Sequence, residues 1–270
     1  MPEWAAYATS RGYAMVVQDI RGKFRSEGET RGFIHEVHDG YDTIEWIASQ
    51  RWSDGSIVML GDSYYGMTQL AAATSGHSAL KAIAPRMTGT RLGGTVRYSD
   101  GSTDVEQTAM RAYAAIVLVS RDMYSWPIDW SRRPLADTFE DFFFALGSRS
   151  AEYDAYVAAG DSGRISIEEL LAAPPVPTLF TIGWWDNCAI WCWPDVDRLR
   201  ASEARGPHVR LRLEGIDHEL NRYSRGPATS AVRRTAAQRL EVIRDALDPS
   251  LDFFDSVLGR RSAQVPPVVF

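Results

Sequence analysis

Short apolar, β-rich runs alternate along the chain with segments whose apolar residues recur at helical spacing, the pattern of a parallel sheet covered by helices on both faces. Residues 13–18, 57–60, 80–84, 178–182 and 209–213 read as strands. Helices are predicted over about 39–50, where Tyr41, Ile44, Ile47 and Ala48 share a face, and over about 68–75, 195–204 and 231–247. From about 88 to 173 the alternation stops. That stretch reads as helical and aromatic-rich, with Tyr113, Tyr124, Trp126, Trp130, Phe139, Phe142, Phe143 and Phe144, and is expected to be an inserted cap whose aromatics mostly pack on one another. Pro174-Pro175-Val176-Pro177 is a stiff connector back to the sheet. The resulting division is a first part of the core at 1–87, a helical cap at 88–173 and a second part of the core at 174–262.

Composition narrows the classes. The 270 residues are 45% hydrophobic and 24% charged, enough to bury one large core or a core with an inserted subdomain. A net charge of −6, with Arg and Lys dispersed, leaves no basic stripe for a nucleic acid. The longest apolar runs fall well short of the roughly 20 residues of a membrane span, and the Met1-Pro2-Glu3-Trp4 start lacks the basic and apolar regions of a secretory signal. The expectation is a soluble, cytoplasmic chain. The two cysteines, Cys188 and Cys192, offer no disulfide framework and, four residues apart without further ligands, a poor zinc site. They read as buried thiols on a helix; no metal or organic cofactor is expected.

The chemistry gathers at strand ends, where ligands collect in open α/β sheets. The run 57–66, Ile-Val-Met-Leu-Gly-Asp-Ser-Tyr-Tyr-Gly, places Ser63 on a sharp strand-to-helix turn. A serine hydroxyl is a poor nucleophile until it projects toward a histidine that takes its proton and backbone N–H groups that hold the oxyanion. The widely taught spacing is Gly-x-Ser-x-Gly, whereas here the second glycine, Gly66, comes one position late. Asp186 follows the strand at 178–182 and His218 the strand at 209–213, so the order is Ser, Asp, His, that of α/β hydrolases. His218 would act as base and later as acid, with Asp186 fixing its tautomer and stabilising the imidazolium. His35, His38, His77 and His208 lie elsewhere in the pattern. Asp62, adjacent to Ser63, is expected to serve structure or to cap the helix. The same triad serves hydrolysis and acyl transfer to another acceptor, which a competing alcohol would separate.

These residues, with Gly12-Tyr13-Ala14, Gln18-Asp19-Ile20-Arg21-Gly22, Ser26-Glu27-Gly28, Leu80-Lys81-Ala82-Ile83-Ala84-Pro85 and Gly183-Trp184-Trp185-Asp186, resemble the CocE/NonD family of cocaine-esterase-like and X-Pro dipeptidyl-peptidase hydrolases, whose second glycine is displaced in this way. The resemblance implies an α/β-hydrolase fold with an inserted helical cap forming the acyl pocket, whose walls are expected to be cap aromatics between Tyr98 and Phe144 together with residues just after Asp186. It also implies Ser63, Asp186 and His218 as triad, the Tyr64 backbone N–H as one oxyanion donor, a salt-bridge role for Arg21, and small ester, amide or short-peptide substrates. A homo-oligomer is left open. Against the family, a strand and a loop carrying a tyrosine that donates to the oxyanion are missing ahead of the first helix, and residues 263–270 look like the start of a missing C-terminal β-sandwich. The chain is therefore expected to be truncated at both ends and poorly soluble or nearly inactive, an inactive remnant being the non-enzymatic alternative. Tyr7, Tyr13 and Tyr65 are not assigned the lost tyrosine's role.

Overall fold

A computed structural model describes residues 2–29, 34–92, 129, 131–133, 137–147, 165–218, 220, 235–261 and 265–269. Five strands, β1 (Ile57–Asp62), β2 (Leu80–Arg86), β3 (Thr178–Gly183), β4 (Val209–Glu214) and β5 (Val268–Val269), form one sheet in the order β1-β2-β3-β4-β5. Every pairing is parallel, with Leu60 opposite Ala84, Thr178 opposite Val209, and Leu211 opposite Val268. The end of the chain thus adds a strand beside β4. The described helices are, in chain order, α1 (Pro2–Ser10), α2 (Glu36–Ala48), α3 (Ser63–Thr74), α4 (Asp137–Leu146), α5 (Ile167–Ala172), α6 (Ala189–Ala201) and α7 (Ala236–Val257). None of the described helices is long and apolar enough to cross a membrane.

Small residues set how closely the layers approach. Ala71, Ala72 and Ala73 of α3 are fully buried, and a Cβ on Gly40 of α2 would lie 3.3 Å from Ala72 Cα and Cβ. Ala82 and Ala84, two apart and therefore on one face of β2, pack with Leu179 of β3 against Ile243, Leu247, Leu251 and Phe254 of α7. Thr235 and Gln238 form a reciprocal capping box at the start of α7.

Three elements depart from the sequence pattern. Residues 13–18 form no ladder: Val16 and Val17 stand exposed and Tyr13 donates to Asp255 of α7 at 2.7 Å, because an extended apolar run becomes a strand only where a neighbouring strand bonds to it. The helix expected from about 195 begins at Ala189 despite Pro194, its first turns holding the buried Trp191 and Cys192. The helix expected to end at 247 runs through Pro249 to Val257. There Leu251, Phe253 and Phe254 are buried, which outweighs the roughly 3 kcal/mol a proline costs a helix interior.

The chain divides into two compact units, Met1–Val16 with Glu36–Leu92 and Ile165–Phe270, and Val17–His35 with Gly93–Arg164. In the second, the Gly22 N–H donates to the Glu27 carbonyl and Ser26 Oγ to the Asp19 carbonyl, the Arg21 stem lies against Gly28, and Arg132 pairs with Asp141 at 3.0 Å. Of the aromatics expected to lie in a cap, Phe143 is buried and Phe144 exposed. Tyr98, Tyr113, Tyr124, Trp126 and Trp130 lie outside the described residues.

Candidate active site

At the end of β1 the backbone turns sharply into α3. Gly61 has φ +151° and Ser63 φ +54°, the latter a left-handed conformation that a non-glycine residue holds only where its surroundings compel it. A Cβ on Gly61 would meet Tyr65 Cβ at 2.6 Å, and one on Gly66 would meet Thr88 Cγ2 at 2.6 Å and the Arg86 carbonyl oxygen at 3.0 Å. The late second glycine therefore marks where α3 crosses the end of β2. Gln69, fully buried, braces the turn: its Nε2 donates to the Tyr65 carbonyl at 2.8 Å and its Oε1 accepts from the Ala84 N–H at 3.0 Å.

Asp62 forms a salt bridge to Arg86 at 2.9 Å, and Arg86 also donates to the Ala246 carbonyl. Burial raises the Asp62 pKa, and the Arg86 charge opposes that rise. Asp62 occupies the N-cap position of α3, yet its side chain makes no capping bond; the ion pair to β2 takes the place of the expected cap. Tyr64, the second residue of α3, lies in the first helical turn, where backbone N–H groups lack an acceptor one turn back. Its hydroxyl donates to Glu36 of α2. Burial first, and then the Glu36 charge, hold the phenol well above its ordinary pKa.

The loops after β3 and β4 are zipped together. The Trp184 N–H donates to the Glu214 carbonyl at 2.7 Å and the Trp185 N–H to the Ile216 carbonyl at 3.1 Å. A Cβ on Gly183 would sit 2.8 Å from the Ile216 oxygen, so the close approach needs glycine. This brings Asp186 and His218 side by side: His218 Nδ1 is 2.7 Å from Asp186 Oδ1, and His218 Nε2 is 2.9 Å from Ser63 Oγ. A carboxylate only accepts, so the tautomer with its proton on Nδ1 satisfies both bonds and leaves Nε2 to accept from the serine hydroxyl. The Asp186 side chain has no exposure, and its Oδ1 also accepts from the Cys188 N–H at 3.0 Å.

The other histidines have other work. His77 bonds Glu45 and packs on the Tyr41 ring, His208 closes a short 3-10 turn before β4, His38 lies on α2 and His35 just before it. Tyr7 and Tyr13 are tied to Asp248 and Asp255 of α7, and Tyr65 is exposed. Glu36, Gln69 and Arg86 carry no signal in the sequence beyond being polar residues within apolar segments. Cys188 is buried as expected, but it precedes α6 and its Sγ lies with ligand atoms of Asp186 and His218, all within 4.8 Å of one another.

The sequence profile of the X-Pro dipeptidyl-peptidase (S15) family matches residues 2–218. Cocaine esterase of Rhodococcus sp. (strain MB1 Bresler) is 42% identical over 106 residues, which are 39% of this chain and 18% of that protein. The Xaa-Pro dipeptidyl-peptidase of Ligilactobacillus salivarius (strain UCC118) is 32% identical over 93 residues, 28% of this chain and 12% of that one. Among solved structures, an aminopeptidase from the marine sediment archaeon Thaumarchaeota archaeon superposes with a TM-score of 0.68 at 23% identity, over 98% of this chain and 47% of that one, a likeness of fold. The matches span less than a fifth of the length of these curated relatives.

Proposed function

This chain belongs to the X-Pro dipeptidyl-peptidase (S15) family, the CocE/NonD hydrolases, and from that premise we propose that it cleaves an acyl bond, ester or amide, through a covalent intermediate on Ser63. The observation that carries the reading is the unbroken relay from Ser63 Oγ through His218 to Asp186, at 2.9 and 2.7 Å, with the serine held at φ +54°. In this reading Ser63 Oγ attacks the acyl carbon as its proton passes to His218 Nε2, and the Tyr64 N–H donates a hydrogen bond to the developing oxyanion. The tetrahedral intermediate collapses, the leaving alcohol or amine takes the proton from His218, and the acyl group stays on Ser63. Water then attacks the acyl-enzyme with His218 as base, releasing the acid. Asp186 keeps the imidazole oriented throughout.

The curated relatives include an esterase and a dipeptidyl-peptidase, so both leaving groups enter the test. Trp184, Trp185 and Tyr65, adjoining the triad in sequence, are each 61% exposed, which favours apolar or aromatic acyl groups over small charged ones, since a charge buried without a partner is costly. A fluorophosphonate probe should label the wild-type chain, with Ser63→Ala and His218→Ala unlabelled; labelling that persists in Ser63→Ala would reject this nucleophile. Turnover of p-nitrophenyl esters beside X-Pro p-nitroanilides then assigns the leaving group, and a preference for short charged acyl groups would reject the apolar pocket.

A further inference from the structure

We propose that Asp186, Cys188 and His218 form a binding site for a thiophilic divalent cation such as zinc or cadmium, and that the bound ion shuts off the serine relay. Binding itself stands on geometry alone; its effect on turnover rests on the reading of Ser63, Asp186 and His218 given above.

The ligand atoms of the three residues lie within 4.8 Å of one another. Zinc holds sulfur at about 2.3 Å and nitrogen or oxygen at about 2.0–2.2 Å, with three protein ligands and one open position in many sites, so modest side-chain rotation closes the set. One thiolate, one imidazole and one carboxylate is a donor set that favours zinc and its soft congeners over magnesium or calcium. Two of the three are already fixed. Asp186 and Cys188 are both buried, and the Cys188 N–H donates to Asp186 Oδ1, which holds the thiol beside the carboxylate.

A second observation points to a cation independently of the cysteine. Asp186 Oδ2 is buried without a hydrogen-bond partner among the described residues, although Oδ1 serves two. A carboxylate oxygen withdrawn from water with nothing to bond is costly, and a metal ion would supply the missing positive charge. The His218 side chain is 29% exposed and gives the ion a way in.

The chemistry balances. On binding, Cys188 loses its Sγ–H proton to solvent and the sulfur lone pair goes to the metal, so thiolate and carboxylate together neutralise the dication. His218 binds through Nδ1, the nitrogen facing Asp186. The neutral ring then carries its proton on Nε2, the atom that would have to accept from Ser63, and no base remains for the serine.

The test uses the full chain freed of metal by chelation. Cadmium should raise an ultraviolet thiolate-to-metal charge-transfer band that saturates at one ion per chain. Cys188→Ser and His218→Gln should lose the band or weaken cadmium affinity at least tenfold, whereas Cys192→Ala should keep it. His218 is part-exposed, so its variant guards against a Cys188 variant that fails to fold. Zinc should suppress p-nitrophenyl ester turnover reversibly with EDTA, and Cys188→Ala, compared with its own metal-free rate, should need at least tenfold more zinc. No band, a band unchanged in Cys188→Ser, or equal zinc sensitivity in Cys188→Ala would each overturn the site. A cadmium band in a chain without esterase turnover would uphold the metal site and count against the hydrolase reading; turnover without a band would do the reverse.

Discussion

Adding one methyl group at Gly66 should cost both stability and turnover, and the size of each loss follows from the distances around it. In isolation Gly→Ala inside a helix stabilises by about 0.5–1 kcal/mol. Here the new Cβ would lie 2.6 Å from Thr88 Cγ2, 2.9 Å from Thr88 Cβ and 3.0 Å from the Arg86 carbonyl oxygen, against an ordinary carbon contact of about 3.5–4.0 Å. Thr88 is fully buried and the Arg86 oxygen belongs to β2, so neither partner can swing aside. Overpacking of this kind costs about 1–3 kcal/mol. With three hard contacts the upper part of that range applies, and the net loss should be about 1–2 kcal/mol. The strain is relieved by moving the start of α3 off the end of β2, which carries Ser63 and Tyr64 away from His218. A displacement near 1 Å at reacting groups costs on the order of 10²-fold in rate.

Urea unfolding and p-nitrophenyl ester turnover, or the rate of fluorophosphonate labelling, should be measured for wild type, Gly66→Ala and Gly66→Ala/Thr88→Ala. The double variant removes the 2.6 Å contact but leaves those at 2.9 and 3.0 Å, so it should recover part of both losses. Gly40→Ala, whose nearest contact is 3.3 Å, should be much milder in stability and leave labelling unaffected. A Gly66→Ala chain as stable as wild type with turnover within about twofold would refute the claim that this glycine seats the nucleophile turn.

Three further outcomes are expected. Glu36→Ala should lower kcat about 10-fold with KM little changed, short of the ~10²–10³ that loss of an oxyanion donor costs, because Glu36 anchors the Tyr64 side chain; Glu36→Gln keeps an acceptor and should recover most of it, and equal loss in both would reject the positioning role. Arg11 reaches Asp248, Asp252 and Asp255 of α7 at 2.6, 2.7 and 3.1 Å, so Arg11→Gln should destabilise by about 1–3 kcal/mol, between exposed and buried ion pairs, with a loss that shrinks in high salt; an unchanged melting temperature would refute it. Tyr64 keeps its proton in the folded chain beyond the ordinary value of 10, whereas the unfolded chain releases it there, so this contribution is whole below pH 10 and declines above it by about 1.4 kcal/mol per pH unit. Tyr64→Phe should remove that alkaline slope, which denaturant midpoints between pH 9 and 11 would show; the same slope in both proteins would refute it. Tyr13, raised by burial and then by Asp255, acts in the same direction with a smaller, solvent-screened share.

Strand cores and the residues just past their carboxyl ends were legible in the sequence because both obey local rules. A β-rich run ends, and the polar residues within a few positions of that end lie at the carboxyl end of the sheet: Ser63 after β1, Asp186 after β3, His218 after β4. Residues 13–18 misled because a strand is a property of two chain segments, and the pattern displays one. The ends of α6 and α7 misled because Pro194 and Pro249 are overridden by burial of Trp191, Cys192, Phe253 and Phe254, a tertiary term that no window of sequence contains. Glu36, Gln69 and Arg86 stayed hidden for a related reason: a polar residue among apolar ones looks the same whether it faces solvent or braces a buried turn.

The glycine spacing sits between these cases. Positions 63, 66, 67 and 70 fall on one stripe of α3, and Met67 and Leu70 are nearly fully buried. Ser63 heads that stripe, so the first residue after it on the same face is three positions on, and that residue passes over Thr88 and the Arg86 carbonyl at the end of β2. Here position 65 is Tyr65, whose Cβ fills the space over Gly61 that any side chain at 61 would need. The two glycines thus answer separate demands. Gly61 yields to the helix's own Tyr65, and Gly66 yields to the neighbouring strand. In this chain the displaced glycine therefore marks the face of α3 that meets the end of β2.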